Sequence, residues 1–156
     1  MALAQGTRGR DLKPKPARTP AVNVICLIVA GVIRSTLPVS EFTLAWDHSV
    51  QKTRWEEHYR IDGGALVLAE ARVQGSGAGM EPPPDARFDR KAWTWQPNTR
   101  HAELRLMQSA FAGDYSICDD SRCSRMSELI GPAGDGTIVS VRACSDEATP
   151  GSAGRQ

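Results

Sequence analysis

The alternation between Phe42 and Val73 constrains this chain more than any other feature. Phe42, Leu44, Trp46, His48 and Val50 fall on one face of an extended strand, and Thr43, Ala45, Asp47, Ser49 and Gln51 fall on the other. The next stretch groups Trp55, Glu57, Tyr59 and Ile61 against Arg54, Glu56, His58 and Arg60. A period of two with one apolar face is the signature of a half-buried strand, and a helix of 3.6 residues per turn cannot reproduce it. Asp62-Gly63-Gly64 supplies a hairpin turn, after which a third strand runs to about Val73. A three-residue loop at 62–64 sets Tyr59 opposite Val67, Glu57 opposite Ala69 and Trp55 opposite Ala71. The connection near Gln51 and Lys52 must be even in length to keep the apolar faces together. The prediction is a three-stranded meander.

The remaining segments extend the same architecture. Val22, Val24, Ile25, Ile28, Val29, Val32 and Ile33 are β-branched and suit buried strands, with a first core strand at about 23–29 and Gly31 as a bend. The apolar stretch 21–33 is shorter than the roughly 20 residues that cross a bilayer, so no transmembrane helix is expected. It is interrupted by Asn23, ends at Arg34 and lacks a small-residue cleavage site, which argues against a secretory signal. Gly75 to Pro84 reads as a loop, 87–96 with Trp93 and Trp95 as a short edge strand, and Leu104 with Leu106 as another strand. Tyr115 to Arg125 reads as a hairpin around Asp119–Arg122, Met126 to Ile130 as a helical turn, and Thr137 to Cys144 as a closing strand. The expected fold is all-β, a single-domain antiparallel β-sandwich or barrel-like domain over 21–144. Residues 1–20, basic and dotted with proline, are read as a disordered extension, and 145–156 as a disordered tail.

Nineteen Lys and Arg against eighteen Asp and Glu leave a net charge of +1, so no overall field draws in nucleic acid or an anionic membrane. The four cysteines, Cys26, Cys118, Cys123 and Cys144, allow three two-disulfide pairings and favour an oxidising compartment. Cys118 and Cys123 flank a tight turn and are the expected bridge; a zinc site built from them with Cys144 and His101 is the weaker alternative. His48 and Glu57 fall diagonally on the core face and are read as a buried hydrogen-bonded pair. The catalytic alternative makes His48 a general base oriented by Glu57 with Ser49 as nucleophile, although Ser49 points to the opposite face. Asp47, Glu56 and Glu70 line up on the polar face, as a seat for a hard cation or, with Arg54 and Arg72, as a salt-bridge lattice; the lattice is the expectation. Gly75-Ser76-Gly77-Ala78-Gly79 lacks the Lys-Ser/Thr of a phosphate loop and is followed by Pro82 to Pro84, so no cofactor is assigned to it.

The run from Phe42 to Glu57, then Glu70-Ala71-Arg72 and Gly75-Ser76-Gly77-Ala78-Gly79-Met80, resembles the bacterial domain-of-unknown-function family 1850 over about residues 24–144. Cys118 and Cys123 fit its proteobacterial members. One departure is Gln51, where the family usually has Glu. The family has no established activity, and its genes are commonly found beside the fused permeases of TAXI-type TRAP transporters. The resemblance therefore implies a non-enzymatic accessory or ligand-binding module, with a TRAP-type permease or its substrate-binding protein as partner. A small hydrolase using His48, Ser49 and Glu57 is the alternative. The candidate functional or structural cluster comprises His48, Ser49, Glu56, Glu57, Glu70, Arg72, Gly77 and Gly79, with no residue assigned as catalytic. Cysteines and transporter context favour the periplasm, whereas the absence of a clear signal peptide favours the cytoplasm.

Overall fold

A computed structural model describes residues 23–48, 52–75, 81–111 and 113–145. The expectations for 1–20, for the tail beyond Ser145, and for Ser49, Gly77 and Gly79 lie outside the described residues.

The first strand among the described residues is β1 (Val24–Val29); the chain reverses through Ala30 and Gly31 and returns as β2 (Val32–Leu37). Both turn residues hold positive φ, 49° and 77°. That is the two-residue hairpin turn whose twist matches the strands it joins. The predicted meander follows as β3 (Glu41–Asp47), β4 (Arg54–Asp62) and β5 (Ala65–Gln74). The expected edge strand is two short ones, β6 (Arg87–Phe88) and β7 (Ala92–Trp95). Arg90 turns between them at φ 77° while Asp89 accepts the amides of Lys91 and Ala92. Then come β8 (Thr99–His101), β9 (Leu104–Met107), the hairpin β10 (Ser116–Cys118) and β11 (Cys123–Arg125), the single-turn helix α1 (Met126–Ile130), and β12 (Ile138–Cys144).

Two sheets result, with every pairing antiparallel. The smaller runs β2-β1-β12-β9 and the larger β11-β10-β3-β4-β5-β7-β6, with β8 pairing the other half of the β5 edge that carries β7. They share one core. Ile25, Leu27, Leu104, Val139 and Val141 of the small sheet meet Phe42, Leu44, Tyr59, Leu66, Leu68 and Ile117 of the large one, with Met126 and Ile130 of the helix closing the cluster. Fully burying one such side chain contributes about 1.5–3 kcal/mol. This is a β-sandwich with an unequal pair of layers.

The meander's register departs from expectation at two places. Gly63 and Gly64 alone form the turn, at φ 57° and 77°, so Asp62 pairs with Ala65 and Tyr59 with Leu68 rather than Val67. Two adjacent glycines permit the left-handed turn without steric cost, which removes the need for a third loop residue. A β-bulge then leaves Ala69 unpaired, so His58 faces Glu70, Glu57 faces Ala71 rather than Ala69, and Trp55 faces Val73 rather than Ala71. Without that extra residue Glu70 would sit directly opposite Glu57, two like charges on the inner face. The bulge sends Glu70 outward and returns Ala71 and Val73 to the inside.

Both disulfides follow from pairing. Cys118 and Cys123 are directly opposed across the β10–β11 hairpin and are bonded, as expected. Cys26 and Cys144 lie diagonally on β1 and β12 with Cα atoms 5.9 Å apart, also bonded, so Cys144 is not available to a zinc site.

Candidate functional site

The large sheet separates the residues that the sequence groups together. β3 ends at Asp47, with Trp46 opposite Trp55 and Asp47 opposite Arg54. His48 is exposed in the connection, where its amide donates to the Thr53 carbonyl at 2.9 Å and its carbonyl accepts the Lys52 amide at 2.8 Å. The expected burial of His48 beside Glu57 is therefore wrong: the alternating pattern runs on in sequence past the point where the strand has ended. Glu57 lies opposite Leu44, on the inner face.

The outward face carries a chain of alternating charges. Arg54 Nε donates to Glu56 at 3.1 Å and Arg72 donates to the other Glu56 oxygen at 3.3 Å. Arg54 also lies 3.9 Å from Asp47, and Arg72 lies 3.7 Å from Asp89. Asp89 is held below the usual carboxylate range by the amides of Ala92 and Lys91, with Arg72 adding to the effect. This is the salt-bridge lattice expected from Asp47, Arg54, Glu56 and Arg72, and such exposed pairs contribute roughly 0–1 kcal/mol each. Glu70 stands apart. It borders a cleft of about 420 Å³ with Asp85, Arg87, Thr94, Trp95 and Gln96. Among the described residues no three His, Cys, Asp or Glu side chains are placed to hold a metal ion.

The inward face is more unusual. Across the large sheet, Trp46, Trp55, Val73 and Trp93 form one row, and Ile117, Leu44, Glu57, Ala71 and Trp95 form the next. Glu57 is the single charged side chain in those two rows. Tyr59, two residues along the strand, donates its hydroxyl to Glu57 Oε2 at 2.6 Å. Trp55 is nearly buried, and Trp46 stacks on it with centroids 5.8 Å apart. Tyr115 tilts against Trp46 at 5.8 Å. Burial, and then the hydrogen bond and charge of Glu57, push the Tyr59 phenol far above its ordinary value. Burial and the same carboxylate raise Tyr115 too. Two neutral phenols thus border one half-buried carboxylate, and the main core cluster does not include Trp55, Ala71 or Val73.

The period-two pattern already placed Trp46, Trp55, Tyr59 and Glu57 on one face. Tyr115 carried no local signal, because it reaches the group only through the pairing of β10 with β3.

No curated protein and no solved structure matches the chain. The family described as a domain of unknown function, DUF1850, matches residues 42–126, from the second residue of β3 to the first of α1. That stretch holds the meander, the outward ion-pair lattice and the whole Glu57 group, and over it the chain belongs to the DUF1850 family.

Proposed function

We propose that this chain is a non-enzymatic accessory or ligand-binding module associated with a TRAP-type (TAXI) transport system, and that its ligand site is the inward group around Glu57. The observation that carries the reading is the 2.6 Å Tyr59–Glu57 hydrogen bond set among Trp46, Trp55 and Tyr115. An aromatic wall with a few fixed polar groups is how ligand sites are usually built. The transport association rests on the genomic setting that the family resemblance implies, with a TAXI-type permease or its substrate-binding protein as partner. The two disulfides fit service in an oxidising compartment. His48 sits outside the strand and Glu57 is engaged by Tyr59, which favours the module over the hydrolase alternative. The test is co-expression of the full chain with a TAXI-type permease and its substrate-binding protein, followed by cross-linking and affinity recovery. Recovery with either component supports the reading; recovery with neither overturns it.

A further inference from the structure

We infer that the Glu57 site takes a small organic cation, one bearing an ammonium or guanidinium group. The inference deepens the ligand-binding reading and rests on it. Its first ground is a contrast in charge. Asp47, Glu56, Asp62, Asp89, Glu103 and Glu128 have a basic side chain within ion-pair distance, and of the carboxylates without one, Glu70, Asp85, Asp120 and Asp135 stand exposed to water while Asp114 and Asp119 accept backbone and hydroxyl hydrogen bonds. Glu57 is the carboxylate on the inner face of the large sheet, and no ion pair among the described residues includes it. An ionised carboxylate withdrawn from water is costly unless something offsets its charge. One phenol hydrogen bond offsets part of that cost. The second ground is the wall itself: Trp46 and Trp55 are stacked, and Tyr115 leans on Trp46. Aromatic faces attract a cation through their quadrupole, most strongly where water is scarce, and a carboxylate behind them adds a direct charge contact. An anion would meet the unpaired charge of Glu57, and a neutral apolar molecule would leave it unpaired. Half-buried Glu57 and Trp46 are both reachable from solvent.

The test uses the oxidised full chain and follows intrinsic tryptophan fluorescence, backed by calorimetry, with choline, putrescine and agmatine as probes. The uncharged carbon isostere of choline and a dicarboxylate serve as controls. At least one cation is expected to bind saturably while the isostere does not. Glu57→Gln is expected to weaken that binding by about tenfold or more with an unchanged near-ultraviolet dichroism spectrum, the loss appropriate to one charge-assisted contact. Trp46→Leu weakens it as well. If no cation saturates in the millimolar range, if the isostere binds equally, or if Glu57→Gln binds as well as the parent, the inference fails. Should Glu57→Gln not fold, the comparison of choline with its isostere on the parent protein decides alone. Saturable binding of the dicarboxylate in place of the cations overturns the charge class while leaving a ligand-binding module standing. Loss of partner recovery in the cross-linking experiment bears on the transport reading and leaves this one untouched.

Discussion

Removing the two disulfides separately should have very unequal consequences. Cys26–Cys144 closes a loop of sequence separation 118, whereas Cys118–Cys123 closes one of separation 5. In the chain-entropy treatment the constraint on the unfolded state grows as the logarithm of loop length, giving about 5 kcal/mol for the long loop and about 2 kcal/mol for the short one at 25 °C. Residual compactness of the denatured chain lowers both figures but preserves their order. Cys26 is fully buried, so its replacement by Ala adds a cavity term of the same sign to the long-loop variant. The pair Cys26→Ala/Cys144→Ala should therefore lose about 3 kcal/mol more than Cys118→Ala/Cys123→Ala, a large part of a typical domain's 5–15 kcal/mol. Urea denaturation of the three oxidised proteins measures it. The long-loop variant should also show a steeper dependence on urea, because its unfolded state expands and exposes more surface. Equal losses, or a larger loss in the short-loop variant, would show that β1 and β12 are not tied as described.

Three further substitutions probe the two faces of the large sheet. Tyr59→Phe should cost about 1.5–3 kcal/mol, the range for a hydrogen bond to a charged group. Because the folded-state Tyr59 titrates above its ordinary 10.0, the unfolded chain releases that proton first, and stability should fall as pH rises past 10. Tyr59→Phe should flatten this alkaline decline, and denaturation at stepped pH values that finds an unaltered slope would contradict the assignment. His48→Ala, at an exposed site outside the strand, should change stability by no more than about 0.5 kcal/mol, and thermal unfolding that reveals a loss of several times that would return His48 to the core. Arg72→Ala should cost about 0–1 kcal/mol at low ionic strength and less in high salt; a larger, salt-insensitive loss would mean that the lattice is more than a solvated surface.

Sequence periodicity carried the inner and outer faces of β3, β4 and the end of β5 because the side-chain period there equals the strand period over many residues; at the start of β5 it put Val67 on the inner face, where Leu66 and Leu68 lie. It carried the Cys118–Cys123 bridge for a related reason, since a tight turn brings its flanks together. It failed at Ala69, where a one-residue bulge shifts register without altering composition, and at His48, where alternation continues after pairing has stopped. Ala71 and Val73 kept their expected inner face, because the bulge cancels the one-residue error in the turn, whereas Val67 and Ala69 gave up theirs to Leu66 and Leu68. Long-range neighbours were the other blind spot. That β12 lies beside β1, that β8 shares an edge of β5 with β7, and that Tyr115 joins Trp46 all depend on pairings between distant segments, which no local pattern encodes. The candidate site was accordingly legible in its residue types but not in its membership: Glu57 belonged, whereas His48, Glu56, Glu70 and Arg72 stand on the strand's far side or beyond its end.

The adjacency of β1 and β12 sets an order of assembly during synthesis. β1 emerges among the earliest of the described strands and its partner β12 emerges last, so the small sheet stays incomplete until nearly the whole domain is available. The β3–β4–β5 meander needs only neighbouring segments, and closing short loops costs less entropy than closing long ones. During that interval the Cys26 thiol meets Cys118 and Cys123 before Cys144 emerges. If the β10–β11 hairpin joins its two cysteines first, only the correct long-range pair is left. If oxidation outruns that hairpin, Cys26 is trapped with the wrong partner and β1 is held away from β12. Production in an oxidising host should therefore respond strongly to disulfide isomerase, and the mispaired species should be the Cys26–Cys118 and Cys26–Cys123 forms.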